Sequence, residues 1–276
     1  MTNARRFYEM TGYPVPIKKE LFAFQYTVTS LRSLSDRWSW LNPCTEQMEL
    51  YRQKIQRRQW LWKALPFVES VYLSNSIVFN SLHEASNIDF FFVVTPGKLW
   101  HAKTRITTVL KLLRLGKTAN KQTMSFSANF LLTQDAQDIS GLLLEPHDPY
   151  LIYRLAHLVP IYHRDFSYQD EIYEHNKRLQ YYLPNFPKQQ SIFLGIDIEV
   201  GQYRTKTAIE FLADTRWGSM WEFLLKLYRL LYLKIRKRYQ PELAPHLLVT
   251  PKVIKCYDDN RKRYALQWKV RKKSED

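Results

Sequence analysis

The chain has 276 residues, 45% hydrophobic and 15% aromatic, with 41 Lys+Arg against 26 Asp+Glu for a formal charge of +15. That is enough for one large domain or a core with a smaller helical part, and with only seven glycines it argues against long linkers or low-complexity disorder. Cys44 and Cys256 lack zinc spacing and cannot build a disulfide framework, Met1 to Tyr13 has no apolar signal core, and no apolar run reaches the ~18 residues that span a bilayer, so a cytoplasmic, soluble protein is expected.

In chain order, residues 14–43 alternate aromatic and polar positions and end at Asn42-Pro43, so that 1–44 reads as an irregular lead-in with some strand or short helix. From Thr45 a helix is predicted, with Met48, Tyr51, Ile55, Trp60 and Trp62 on apolar faces, Arg52, Lys54, Arg57 and Arg58 on the polar side, and Pro66 as its stop. Phe67 to Leu73 reads as a strand. Ile88 to Val94 is apolar almost throughout, as a strand covered on both faces would be. Pro96-Gly97-Lys98 is a turn, Leu99 to Leu115 an amphipathic helix closed by Gly116, and Met124 to Leu132 a third strand with Ser125, Ser127 and Asn129 on one side. The expected fold class is α+β: a small mixed sheet with helices packed on it over 45–145, then a mainly helical, basic region over 146–276. Helices are expected at about 148–158, 167–182, 201–214, 217–239 and 258–273.

The helix 217–239 is apolar nearly all round, with a narrow stripe at Glu222, Lys226 and Arg229. Such a helix normally lies in a core. Lys234, Arg236, Lys237 and Arg238 at its end make a membrane-surface role the alternative. Residues 217–276 hold fifteen Lys/Arg and six Asp/Glu, and so +9 of the +15. Arg261, Lys262, Arg263 and Lys269 stand among Tyr264 and Trp268, a mixture able to contact phosphates and stack bases. Together with Arg236, Lys237 and Arg238 they are candidate nucleic-acid contacts, RNA or DNA. A solvated face without a partner is the bland reading.

The chemistry sits between the first two strands. A Ser at a strand tip offers a hydroxyl and backbone N–H groups to phosphate oxygens, and two carboxylates one residue apart on the next strand share a hard cation. Here Ser74-Asn75-Ser76 follows the first strand and Ser86-Asn87-Ile88-Asp89 opens the second. The segment VYLSNSIVFNSLHEASNIDFFFVVTPGKLWHAKTR resembles the Gly-Ser … Ser-Asp-x-Asp signature of nucleotidyltransferase-like proteins. It is more specifically similar to an uncharacterised bacterial group of the polymerase-beta-like superfamily. The similarity includes the Thr-Pro-Gly-x-Leu-Trp turn and the later segments Leu155 to Tyr162 and Tyr182-Leu183-Pro184-Asn185.

The resemblance implies a nucleotidyltransferase-like core that binds a nucleotide with Mg²⁺ and transfers a nucleotidyl group to a polyanionic or small-molecule acceptor. It places the metal and catalysis on Asp89 and Asn87, and the phosphates on Asn75, Ser76, Lys103 and Arg105. The signature is degenerate. The family glycine is Asn75, the first metal carboxylate is Asn87, and the third strand has no acid, Asp135 falling past its end. The alternative is therefore a catalytically inactive relative that binds nucleic acid or serves in an assembly. In the bland reading Asp89 only hydrogen-bonds the loop at its strand entrance.

Overall fold

The computed structural model describes residues 46–78, 82, 86–116, 123–136, 138–143, 148–156, 158–165, 174–177, 196–239 and 247–256. The expected lead-in over 1–44, the helices at 167–182 and 258–273, and the cluster Arg261, Lys262, Arg263 and Lys269 lie outside these residues, save 174–177.

Helix α1 (Glu46–Gln56) begins with Glu46 and Glu49 in its first turn, where negative charge suits the helix dipole, and buries Met48, Tyr51 and Ile55. The single helix expected here is broken at Arg57–Gln59 before α2 (Trp60–Ala64). The break directs the Gln59 amide inward, where it donates to the carbonyls of Ile161 and Asp197 at 3.1 and 2.6 Å. Strands β1 (Val68–Ser74) and β2 (Ile88–Val94) pair antiparallel and are buried along their whole length. Helix α3 (Leu99–Leu112) then crosses to β3 (Phe126–Thr133), which lies parallel to β2.

Beyond residue 145 the expectation of mainly helix is only partly met. Helices α4 (Pro149–Ala156), α5 (Arg204–Ala213) and α6 (Arg216–Tyr239) are present. So are four unexpected strands, β4 (Val159–His163), β5 (Glu199–Val200), β6 (Leu247–Val249) and β7 (Val253–Cys256). They flank the first three strands in one mixed seven-stranded sheet, ordered β5-β4-β1-β2-β3-β7-β6. Pro160 lies inside β4, and a register irregularity between Val71 and Tyr72 of its neighbour accompanies it. Trp62 packs on Phe90 and Phe92 on one face of the sheet, while Tyr72, Phe91 and Phe130 pack together on the other.

The α6 expectation is reversed. Gly218, Glu222, Leu225 and Arg229, spaced three or four apart, form its least exposed stripe, while Trp217, Phe223, Leu227 and Tyr228 face solvent. Polar contacts explain the direction. Glu222 accepts hydrogen bonds from the Trp100 and His101 backbone N–H groups at 2.7 and 2.8 Å, and Arg229 donates to Thr107 Oγ1 at 2.8 Å. Gly218 is required where α6 leaves α5, since a Cβ there would sit 1.6 Å from the Ala213 carbonyl oxygen.

A buried polar network fixes α5 to β1 and β4. Lys206 is fully buried and donates to the Val68 carbonyl and, at 3.1 Å, to Tyr162 Oη. Arg164 bridges Glu69 and Glu210, each at 3.2 Å, and Glu210 accepts from the Phe67 N–H at 2.6 Å. Phe67 has φ 65°, a strained value for a bulky residue. Burial, opposed by Glu210 and Glu69, lowers the Lys206 pKa from 10.5 to about 8. Between those values the unfolded chain binds more protons than the native one, so the lysine's contribution to stability rises with pH across that window. Wild type is therefore expected to gain about 3 kcal/mol relative to Lys206→Met between pH 8 and 10.5, measured by urea unfolding at each pH.

Candidate functional site

The corner between β1 and β2 is built around Asp89, the β2 residue opposite Ser74. Asp89 is only 8% exposed. Its side chain lies on the sheet face away from Phe90, toward α4, because successive strand residues alternate faces. Three asparagine amides donate to its carboxylate. Asn75 Nδ2 reaches Oδ2 at 2.5 Å, Asn87 Nδ2 reaches Oδ1 at 2.8 Å, and Asn129 Nδ2 reaches Oδ1 at 3.2 Å.

Each donor has a local cause. Asn75 opens the short 3-10 turn Asn75–Ile77 after β1 with φ 65°, a left-handed conformation that asparagine tolerates better than other residues with a Cβ. Asn87 lies two residues before Asp89 along the same strand edge. Asn129 occupies a bulge in β3, since Phe90 pairs with Ala128 while Phe91 pairs with Phe130. The extra residue re-aims a side chain toward the neighbouring strand.

Arg154 of α4 fixes the direction of the set. Its guanidinium, which only donates, bonds Asn75 Oδ1 and so leaves the Asn75 NH₂ group to face Asp89. Arg154 and Lys255 of β7 complete the wall of a small hollow with Ser74, Asn75, Asp89 and Asn129. The hollow leaves about 20 Å³ for solvent, room for a water. Around it stand two cations and a single carboxylate, with Phe91, Phe130, Leu151 and Leu155 behind.

The structure gathers only part of the expected set. Asn75, Asn87 and Asp89 meet at one point. Ser76 is half-buried in the turn and Ser74, not Ser76, lines the hollow. Lys103 donates to the Ala128 carbonyl at 2.5 Å, and Arg105 lies 6.0 Å from the centre of the Phe67 ring, so neither lines the corner. Asp135 pairs with Lys252 at 2.8 Å beyond the end of β3. Arg236, Lys237 and Arg238 fall in the last turns of α6. Asn129 and Arg154 were not foreseen as site residues. Asn129 has a sequence signal, being polar on the predicted third strand on the same side as Ser125 and Ser127. Arg154 had none, because α4 reaches the corner only through tertiary packing.

A magnesium site of the two-carboxylate kind does not fit these donors. Mg²⁺ takes oxygen ligands in octahedral geometry and relies on carboxylates with substrate phosphates. Here the positions beside Asp89 present N–H groups, and Arg154 holds one of them that way round. Among the described residues no group of three or more His, Cys, Asp or Glu side chains is placed to hold a metal ion. No family model, curated protein or solved structure matches the chain.

Proposed function

We propose that this chain is a nucleotidyltransferase-like protein that no longer carries out magnesium-dependent transfer and works as a binding or assembly subunit for a polyanion. One observation carries the reading: Asp89, which the family resemblance makes a metal ligand, accepts hydrogen bonds from three asparagine amides. That arrangement satisfies the carboxylate from within the protein. The antiparallel β1–β2 pair, the α3 crossover to a parallel β3 and the left-handed Asn75 where the signature has glycine support the family part of the reading. The +9 charge of residues 217–276 supports the polyanion part.

The first test is a thermal-shift panel of nucleoside triphosphates with and without Mg²⁺. A ligand at a hundred times its Kd stabilises by about 2.7 kcal/mol, so binding is easily seen. No Mg²⁺-dependent shift is expected for the wild type, and a clear one returns the chain to the active class.

Asn87→Asp is the companion experiment. It sets a second carboxylate where Asn87 Nδ2 now lies 2.8 Å from Asp89. Without metal this exchanges a hydrogen bond for like-charge repulsion, and a loss of about 1–3 kcal/mol is expected. Mg²⁺ should restore much of that loss in the variant and leave the wild type unchanged, as read from melting curves in chelator and in Mg²⁺.

The polyanion part is tested by salt dependence. If Arg261, Lys262 and Arg263 contact phosphates, neutralising all three should flatten the slope of log K against log salt by roughly two to three units. An unchanged slope makes that cluster a solvated face.

A further inference from the structure

Helix α6 is built inside out. Its 24 residues make a rod about 36 Å long, held to α3 by the polar stripe that includes Glu222 and Arg229. The opposite side presents Met220, Phe223, Leu224, Leu227 and Leu231 to solvent, with Phe223 61% and Leu227 54% exposed. Trp217, Trp221, Tyr228 and Tyr232 run along one flank of this stripe, and Phe211 and Leu212 of α5 are also exposed. A contiguous apolar face of this length marks an interaction surface.

Charge selects what covers it. The helix carries seven Lys/Arg, and its only acid, Glu222, is turned inward onto α3. A second copy would bring another +15. Residues 1–45 hold six Lys/Arg against three acids, and residues 257–276 hold seven against four. Both terminal segments are therefore cationic, as the face itself is.

The complementary partner has a negative surface and an apolar interior. Tryptophan and tyrosine favour the headgroup level of such a layer, and Lys226 and Lys234 can lay their stems on the apolar face with their charges in water. Beneath Trp217 and Trp221 a hollow of about 540 Å³ opens between α3, α5 and α6. It adjoins a second of about 480 Å³ against α2, and the two share Thr104 and Arg105. Arg105 has no carboxylate within ion-pair distance among the described residues and places a cation at the divide between two apolar lobes, where a headgroup phosphate would meet it.

We propose that the outward face of α6, with the Arg105 groove beside it, is a docking surface for an anionic phospholipid bilayer, on which the helix lies flat at the interface. This names the polyanion of the reading above and rests on it. The contact is peripheral, since among the described residues no helix is long and apolar enough to cross a membrane.

The test is co-sedimentation of the full chain with vesicles of phosphatidylcholine alone and of phosphatidylcholine mixed with phosphatidylglycerol. Tryptophan fluorescence is followed in parallel. The protein is expected to pellet with the mixed vesicles only, with a blue-shifted emission, and to be released by salt. Phe223→Glu with Leu227→Glu should weaken binding at least about tenfold, since two buried apolar anchors are lost. Lys226→Gln with Lys234→Gln should also weaken it about tenfold or more. Unchanged melting curves show that these exposed substitutions leave the fold intact.

Equal pelleting with neutral and anionic vesicles overturns the proposal. So does a dimer in solution that Phe223→Glu with Leu227→Glu disperses, because a second copy then covers the face. Binding to RNA or DNA without vesicle binding overturns the bilayer and leaves the polyanion reading standing. Binding to none of these removes both.

Discussion

Replacing Asp89 by asparagine is expected to destabilise the protein by about 2–3 kcal/mol, the scale for hydrogen bonds to a charged group at a buried site. The change keeps the shape of the side chain and removes one acceptor oxygen and the charge. Three amides now converge on that carboxylate, and one of them, Asn75, cannot turn because Arg154 holds its oxygen. The new NH₂ group must face at least one of these donors. Asp89→Ala, which leaves all three without their acceptor, should cost more. The same substitution separates the two roles of the residue. A carboxylate kept for a cation usually weakens the empty fold, so Asp89→Asn in a working metal site is neutral or stabilising without metal. Denaturant unfolding of wild type and variant in chelator decides between them, and a stabilised variant would remove the structural role given to Asp89.

The second large effect is expected at Glu222. Helix α3 starts at Leu99 after the Pro96-Gly97-Lys98 turn, and Lys98 gives it no side-chain cap. Its first N–H groups need acceptors, and Glu222 of α6 supplies both carboxylate oxygens to Trp100 and His101. The negative charge also lies at the positive end of the α3 dipole. Glu222→Ala removes two charge-assisted bonds at a half-buried helix end, and a loss of about 3 kcal/mol is expected. Glu222→Gln keeps one acceptor and should lose about half of that. Both follow from chemical unfolding curves. Hydrogen exchange at Trp100 and His101 gives the local signature, because their protection should fall further than that of β2. A change within about 0.5 kcal/mol, the usual range for surface substitutions, would mean that solvent caps α3 as well as Glu222 does.

The sequence carried much of the central sheet. Ile88–Val94 is apolar at nearly every position because both faces of β2 are covered, and its bounds are those the pattern marks. The Pro-Gly-Lys turn and the apolar spacing after it located α3. Asn75 could be placed at a tight turn because few residues with a Cβ adopt its conformation. The three site residues Asn75, Asn87 and Asp89 could be singled out because they lie at the ends of adjacent strands, where local order already brings them close.

Tertiary structure decided the rest, for reasons that local pattern does not hold. Strands β4 to β7 are two to five residues long and gain their stability from partners up to about 120 positions away, so short runs such as Val253–Cys256 carry no period of their own. Asn129 and Arg154 acquire roles only when β3 bulges beside β2 and α4 packs over that face, turning a corner that reads as a weakened metal site into a closed set of hydrogen bonds. In α6 the sequence shows a nearly all-apolar cylinder with one polar stripe, which by itself points the stripe to water. Its folded partner reverses that direction: the uncapped N–H groups of α3 and the Thr107 hydroxyl provide better partners for Glu222 and Arg229 than solvent does, and the apolar side turns outward as a consequence.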